Sequence, residues 1–156
     1  MGKKETQTKI KVDINESLLA INFTIFALIV SLNPSLLKQP SLVIQLTAAI
    51  PLLLSSTFAR SKLIYAKKPD VWENYGYLTF LFGYTFLINV FGVLLSKIFD
   101  VKYGLFFLLF NIIIAVIYSA CEVIEDKTKL RIRIMKDALF TAIVFFGGIL
   151  PSFNLY

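Results

Sequence analysis

"YGLFFLLFNIIIAVIYSAC", residues 103–121, contains no Asp, Glu, Lys or Arg. At 1.5 Å per residue a helix of this length covers about 28 Å, close to the ~30 Å hydrocarbon core of a bilayer. Apolar residues occupy every face of the run, so it lacks the alternation of a membrane β-barrel strand. A lone strand cannot satisfy its backbone in lipid, so the stretch reads as a transmembrane helix.

Four further runs follow the same logic. Helix 1 is expected over residues 14–32, opened by a capping box of Asp13 and Glu16 and closed by "NPSLLKQP", where Pro34 and Pro40 cannot continue a helix. Helix 2 is expected over 41–58, with a bend at Pro51 and the hydroxyls of Ser55, Ser56 and Thr57 serving the carbonyl that a proline leaves unpaired. Helix 3 is expected over 71–95 behind a second capping box, Asp70 and Glu73. Helix 5 is expected over 137–150, near Pro151; its apolar core is short enough for a re-entrant segment to compete. The fold class is an all-α integral membrane protein: a bundle of five transmembrane helices, or four if the last does not span. Residues 1–13 read as a basic N-terminal tail and 14–156 as the bundle. "MGKKET" fits the N-myristoylation pattern at Gly2, a pattern too short to carry weight.

Composition agrees: 57% of residues are hydrophobic and 17% charged, against about 45–50% and 25% in soluble domains. Histidine is absent, which removes the usual general base and the favoured nitrogen ligand of metals. The single cysteine, Cys121, has no internal disulfide partner and no histidine to activate it. No cofactor, catalytic metal or enzymatic activity is expected.

The densest basic run is "EDKTKLRIRIMKDALF", residues 125–140, with Lys127, Lys129, Arg131, Arg133 and Lys136. Its meaning depends on where the other cations fall. Lys3, Lys4, Lys9 and Lys11 precede helix 1, and Arg60, Lys62, Lys67 and Lys68 follow helix 2. The alternate loops hold only Lys38, Lys97 and Lys102. One side thus carries 13 of the 16 cations and the other 3. This is the positive-inside pattern, with a cytoplasmic N-terminus and an extracytoplasmic C-terminus in the cell membrane. The run is a topology signal compatible with anionic headgroups. It lacks the aromatic platform of a nucleic-acid site, so no nucleic-acid partner is expected. Tyr65, Trp72, Tyr75 and Tyr77 at one boundary, with Tyr103 and Tyr156 at the other, read as interfacial anchors.

Within the spans so drawn the only acids or bases are Glu16, Glu73 and Asp137, each in a first turn, and none falls in a span's interior, which disfavours proton pumps and voltage sensors. Glu122, Glu125 and Asp126 read as solvated groups pairing with Lys129 and its neighbours. The spans do hold amides, Asn22, Gln45, Asn89 and Asn111, which read either as interhelical hydrogen bonds or as a pore lining. Asn89 and Asn111 fall at similar depth in adjacent helices and are expected to pair. Gly76 and Gly83, one heptad apart, read as a packing seam, and Gly147-Gly148 as a close-approach point. "DINESLLAIN" and "DVWENYGYLT" hint at a repeat offset by 57 residues. Three functional classes follow: a non-enzymatic transport or pore subunit acting as a homo-oligomer; an accessory, immunity or interaction protein binding a membrane-protein partner; and a membrane enzyme using inner-surface carboxylates.

Overall fold

The structure is a computed structural model. It describes residues 3–153, apart from the side chains of residues 3–5, Leu32 and Lys129. The expectations at Gly2 and Tyr156 lie outside the described residues, as does the expected pairing of the acids with Lys129. Among the described residues there is no strand, and five helices are long and apolar enough to cross a membrane. They are α1 (Lys3–Leu32), α2 (Pro40–Lys62), α3 (Pro69–Ile98), α4 (Val101–Glu125) and α5 (Leu130–Ser152).

The helices are longer than expected, and their ends correct the sequence reading. No Gly or Pro interrupts residues 3–32, so α1 begins at Lys3 and the basic stretch forms its first turns. Asp13 sits inside this helix, where its carbonyl accepts from Ser17 Oγ at 2.9 Å, so no capping box forms there. α2 and α3 open on Pro40 and Pro69, which fit the first turn because their missing N–H would be unpaired anyway. Asp70 therefore lies within the first turn of α3 rather than capping it. α4 has a cap that the sequence reading missed: Asp100 Oδ1 accepts from the Lys102 amide at 2.9 Å. Asp126 likewise accepts from the Thr128 amide at 3.1 Å, opening a short 3₁₀ turn, Lys127–Lys129. α5 then starts at Leu130, seven residues before the expected Asp137.

α5 contains one wide, π-helical turn, Phe145–Ile149, built on "FFGGI" and followed by Pro151. Glycine tolerates such a turn sterically, and proline removes an amide that a tight ladder would need. α2 passes through Pro51 as a continuous helix. The carbonyl four residues before Pro51 belongs to Thr47, and the expected hydroxyls do not serve it. Ser56 Oγ donates to the Gly76 carbonyl at 2.7 Å and Thr57 Oγ1 to the Leu53 carbonyl at 3.0 Å.

The chain forms two compact units, residues 1–87 and 88–156, with the division falling within α3. In the first, α1 presents Asn15, Asn22, Ile25 and Ile29 as buried positions. Asn15, Asn22 and Ile29 recur every seven residues, and Ile25 adds the intervening position, so the stripe follows a heptad seam. It lies antiparallel to α2, because Asn15 bonds Thr57 while Asn22, further along α1, bonds Leu46, earlier in α2. Against α2, the heptad-spaced Gly76 and Gly83 of α3 form the expected packing seam. A Cβ at Gly76 would stand 3.1 Å from Ala59 Cβ, and one at Gly83 would stand 2.9 Å from Leu53 Cγ.

In the second unit Leu108 of α4 is fully buried and fills two glycine notches at once. A Cβ on Gly92 of α3 would lie 2.5 Å from Leu108 Cγ, and one on Gly148 of α5 would lie 3.0 Å from Leu108 Cδ1. Lipid tails are as apolar as leucine, so these contacts act through close packing rather than removal of water.

Candidate functional site

The extra length of α4 and α5 brings Glu122 and Arg133 into helices whose expected bounds excluded them. Tyr118, Ser119 and Glu122 lie on the last turns of α4, and Arg133 and Asp137 on the first turns of α5. Tyr118 Oη donates to Glu122 Oε1 at 2.8 Å, and Arg133 Nη2 forms an ion pair with Glu122 Oε2. The Arg133 guanidinium also lies 5.5 Å from the centroid of the Tyr118 ring. One turn deeper, Ser119 Oγ donates to Asp137 Oδ1 at 2.7 Å. The order of partners, Ser119 with Asp137 and Glu122 with Arg133, is that of an antiparallel hairpin.

Ser119 is buried and Glu122, Arg133 and Asp137 are partly buried, while Tyr118 is 60% exposed at the cluster's edge. The Arg133 and Glu122 side chains are 18% and 22% exposed, whereas neighbouring Ile117, Ile124, Ile134 and Met135 are 57%, 80%, 60% and 67% exposed. Ionisable groups inside apolar helices are costly unless paired, and such groups mark candidate sites. The expectation that Glu122 is solvated is therefore corrected, and Arg133 is its partner. Lys136 is also engaged. Lys127 and Arg131 are exposed. Glu125 is exposed and Asp126 serves as the cap described above.

The amides divide by helix. Asn22 is fully buried, and its Nδ2 donates to the Leu46 carbonyl at 3.1 Å, across α1 and α2. Asn89 is fully buried, and its Nδ2 donates to the Ile143 carbonyl at 3.1 Å, across α3 and α5. Gln45 is buried, with Nε2 donating to the Ser41 carbonyl of its own helix at 3.1 Å. Asn111 is half-buried and turns its Nδ2 to the Phe107 carbonyl of its own helix at 2.8 Å. Asn89 therefore sits at a helix–helix contact, but its partner is backbone on α5. The expected pairing with Asn111 is not formed.

Asn15, which the sequence reading passed over, is fully buried and donates from Nδ2 to Thr57 Oγ1 at 3.2 Å. The Oδ1 atoms of Asn15 and Asn22 have no donor among the described residues. They are seven residues apart on one helix, about 10.5 Å along its axis, too far to share one cation. Among the described residues no three His, Cys, Asp or Glu side chains gather closely enough to hold a metal. The α4–α5 cluster has no imidazole to take a proton from Ser119. Its geometry fits charge-assisted hydrogen bonding that joins two helices, with Glu122 balanced by Arg133.

Compared with known proteins, the chain matches no family model, no curated protein and no solved structure.

Proposed function

We propose that the protein is a non-enzymatic membrane component that acts by binding a membrane-protein partner, with its N-terminus cytoplasmic and its C-terminus outside. The observation that carries this reading is the direction of the buried amides. A conducting path needs polar groups turned away from the chain's own helices, whereas Asn15, Asn22 and Asn89 donate across helix pairs within a unit. Charge is handled the same way, with Arg133 closed onto Glu122. What α4 turns outward is apolar and aromatic: Phe106, Phe110, Ile113 and Ile117 are each at least half exposed. Such a surface suits contact with lipid and with another membrane helix. The orientation rests on the 13-to-3 division of Lys and Arg.

A second reading, an oligomeric pore or transport subunit, draws support from Asn111. It is the one sequence-selected amide that is only half-buried. In a ring of copies it would face its counterparts or a central path. Reconstitution into liposomes, with the protein's mass measured in detergent, separates the two readings. Partner binding predicts a monomer with ion and small-solute flux no greater than in empty vesicles. A discrete multimer whose flux is lost in Asn111→Leu would overturn the proposal in favour of the pore.

A further inference from the structure

The first unit contains a buried cation, Arg60, near the end of α2. It is 9% exposed, yet no carboxylate lies within ion-pair distance of it among the described residues. Its position is fixed by four features of its surroundings. Nε donates to Ser56 Oγ at 3.2 Å, and that hydroxyl donates onward to the Gly76 carbonyl at 2.7 Å. The guanidinium lies 5.3 Å from the centroid of the Phe80 ring. The stem rests where Gly76 has no side chain, since a Cβ there would be 3.7 Å from Arg60 Cγ. Glu73 is the acid whose charge reaches Arg60, but its carboxylate meets Lys11 at 4.0 Å.

One edge of the guanidinium is therefore committed, and the opposite edge is not. Nη1 and Nη2 have no acceptor among the described residues, and neither is a sealed, unsatisfied atom, so both keep a small contact with the surface. That free edge is the planar two-donor fork that matches two oxygens of a phosphate. Its depth in the bilayer is indicated by its neighbours. Lys62 lies 5.6 Å from the Tyr65 ring and 5.7 Å from the Trp72 ring, and Tyr65 is exposed. Trp, Tyr and Lys together are the residues of the membrane–water boundary, where headgroup phosphates lie.

We propose that Arg60 binds a phosphate group through Nη1 and Nη2, the phosphate being that of a phospholipid headgroup seated on the first unit. Ser56, Gly76 and Phe80 hold the guanidinium ready for it. Arg60, Lys11 and Glu73 together leave one net positive charge beside the site, which favours an anion. If Arg60 served only to pack α2 against α3, an apolar side chain of similar length would do as well or better, because a buried charge is costly to keep.

The test is thermal unfolding of the full chain in detergent, titrated with phosphatidylglycerol in mixed micelles. A parallel arm uses sodium phosphate against sodium chloride at equal ionic strength. Phosphatidylglycerol is expected to raise the melting temperature of the wild type. Arg60→Met should weaken that response about tenfold or more, while Lys38→Gln, an exposed cation between α1 and α2, should leave it unchanged. A response to phosphate but not to the lipid would keep the anion site and overturn the headgroup as its source. Equal lipid responses in wild type and Arg60→Met, or no wild-type response in either arm, would overturn the site itself. If Arg60→Met does not fold, Arg60→Lys decides the matter. It keeps charge and stem but loses the fork, and a response equal to wild type would refute the proposal.

Discussion

Replacing Arg133 with Met isolates the contribution of the α4–α5 cluster. The change keeps an unbranched stem against Tyr118 but leaves Glu122 with a single donor, Tyr118 Oη. An exposed pair would be worth about 0–1 kcal/mol, and a fully buried charge stripped of its partner costs about 3–5 kcal/mol. With side-chain exposures of 18% and 22%, this pair falls between those limits, and a loss of about 2 kcal/mol is expected. Glu122→Gln keeps an acceptor for Tyr118 and removes the charge, so its loss should be nearer 1 kcal/mol. The double variant leaves no orphan charge and should fall within about 1 kcal/mol of wild type, a coupling of about 2 kcal/mol. Reversible unfolding in mixed micelles, measured on all four proteins, gives the cycle. Strictly additive losses would show that Glu122 and Arg133 are separately hydrated. The paired, partly buried arrangement would then be wrong.

Other consequences follow from the packing and the amides. Gly92→Ala should destabilise by about 1–3 kcal/mol through its clash with Leu108, and Leu108→Ala in the same chain should recover part of that loss; unfolding in micelles would show whether it does. Asn89→Leu should cost about 0.6–2 kcal/mol because it removes the bond to the Ile143 carbonyl, whereas Asn111→Leu, which breaks only a contact within α4, should be close to neutral. Their effects should add, and a strong coupling would revive the direct pair. A reporter active only in the cytoplasm, fused after Tyr156, should be silent; strong activity would mean that α5 does not cross.

The long apolar runs made the helices and their class readable, because lipid admits few alternatives for a backbone. The heptad pair Gly76 and Gly83 was readable for a related reason: a missing side chain at helical spacing implies close approach wherever the partner lies. The ends were harder. "DINE" and "DVWE" look like caps, yet one lies inside a helix that nothing interrupts and the other follows a proline that starts the helix first. That same extension concealed the candidate site. Glu122 and Arg133 looked like solvated charges beyond the apolar runs, although the two side chains meet each other while Ile117, Ile124, Ile134 and Met135 beside them are exposed. Asn89 illustrates another limit. Depth along neighbouring helices is computable from rise per residue, but the rotation that turns Asn89 toward α5 is set by the glycine notches around Leu108. Those notches appear only once three helices are packed.

The central claim is that the buried amides bind helices to one another and do not line a watery path. Cysteine accessibility tests it most directly. In a Cys121→Ser background, Asn22→Cys and Asn89→Cys are exposed to a hydrophilic thiol reagent in sealed vesicles, added from each side in turn. Both positions are fully buried, so neither cysteine should be labelled until detergent unfolds the chain. Rapid labelling of either position in the intact bilayer would place water at the amides and contradict the account.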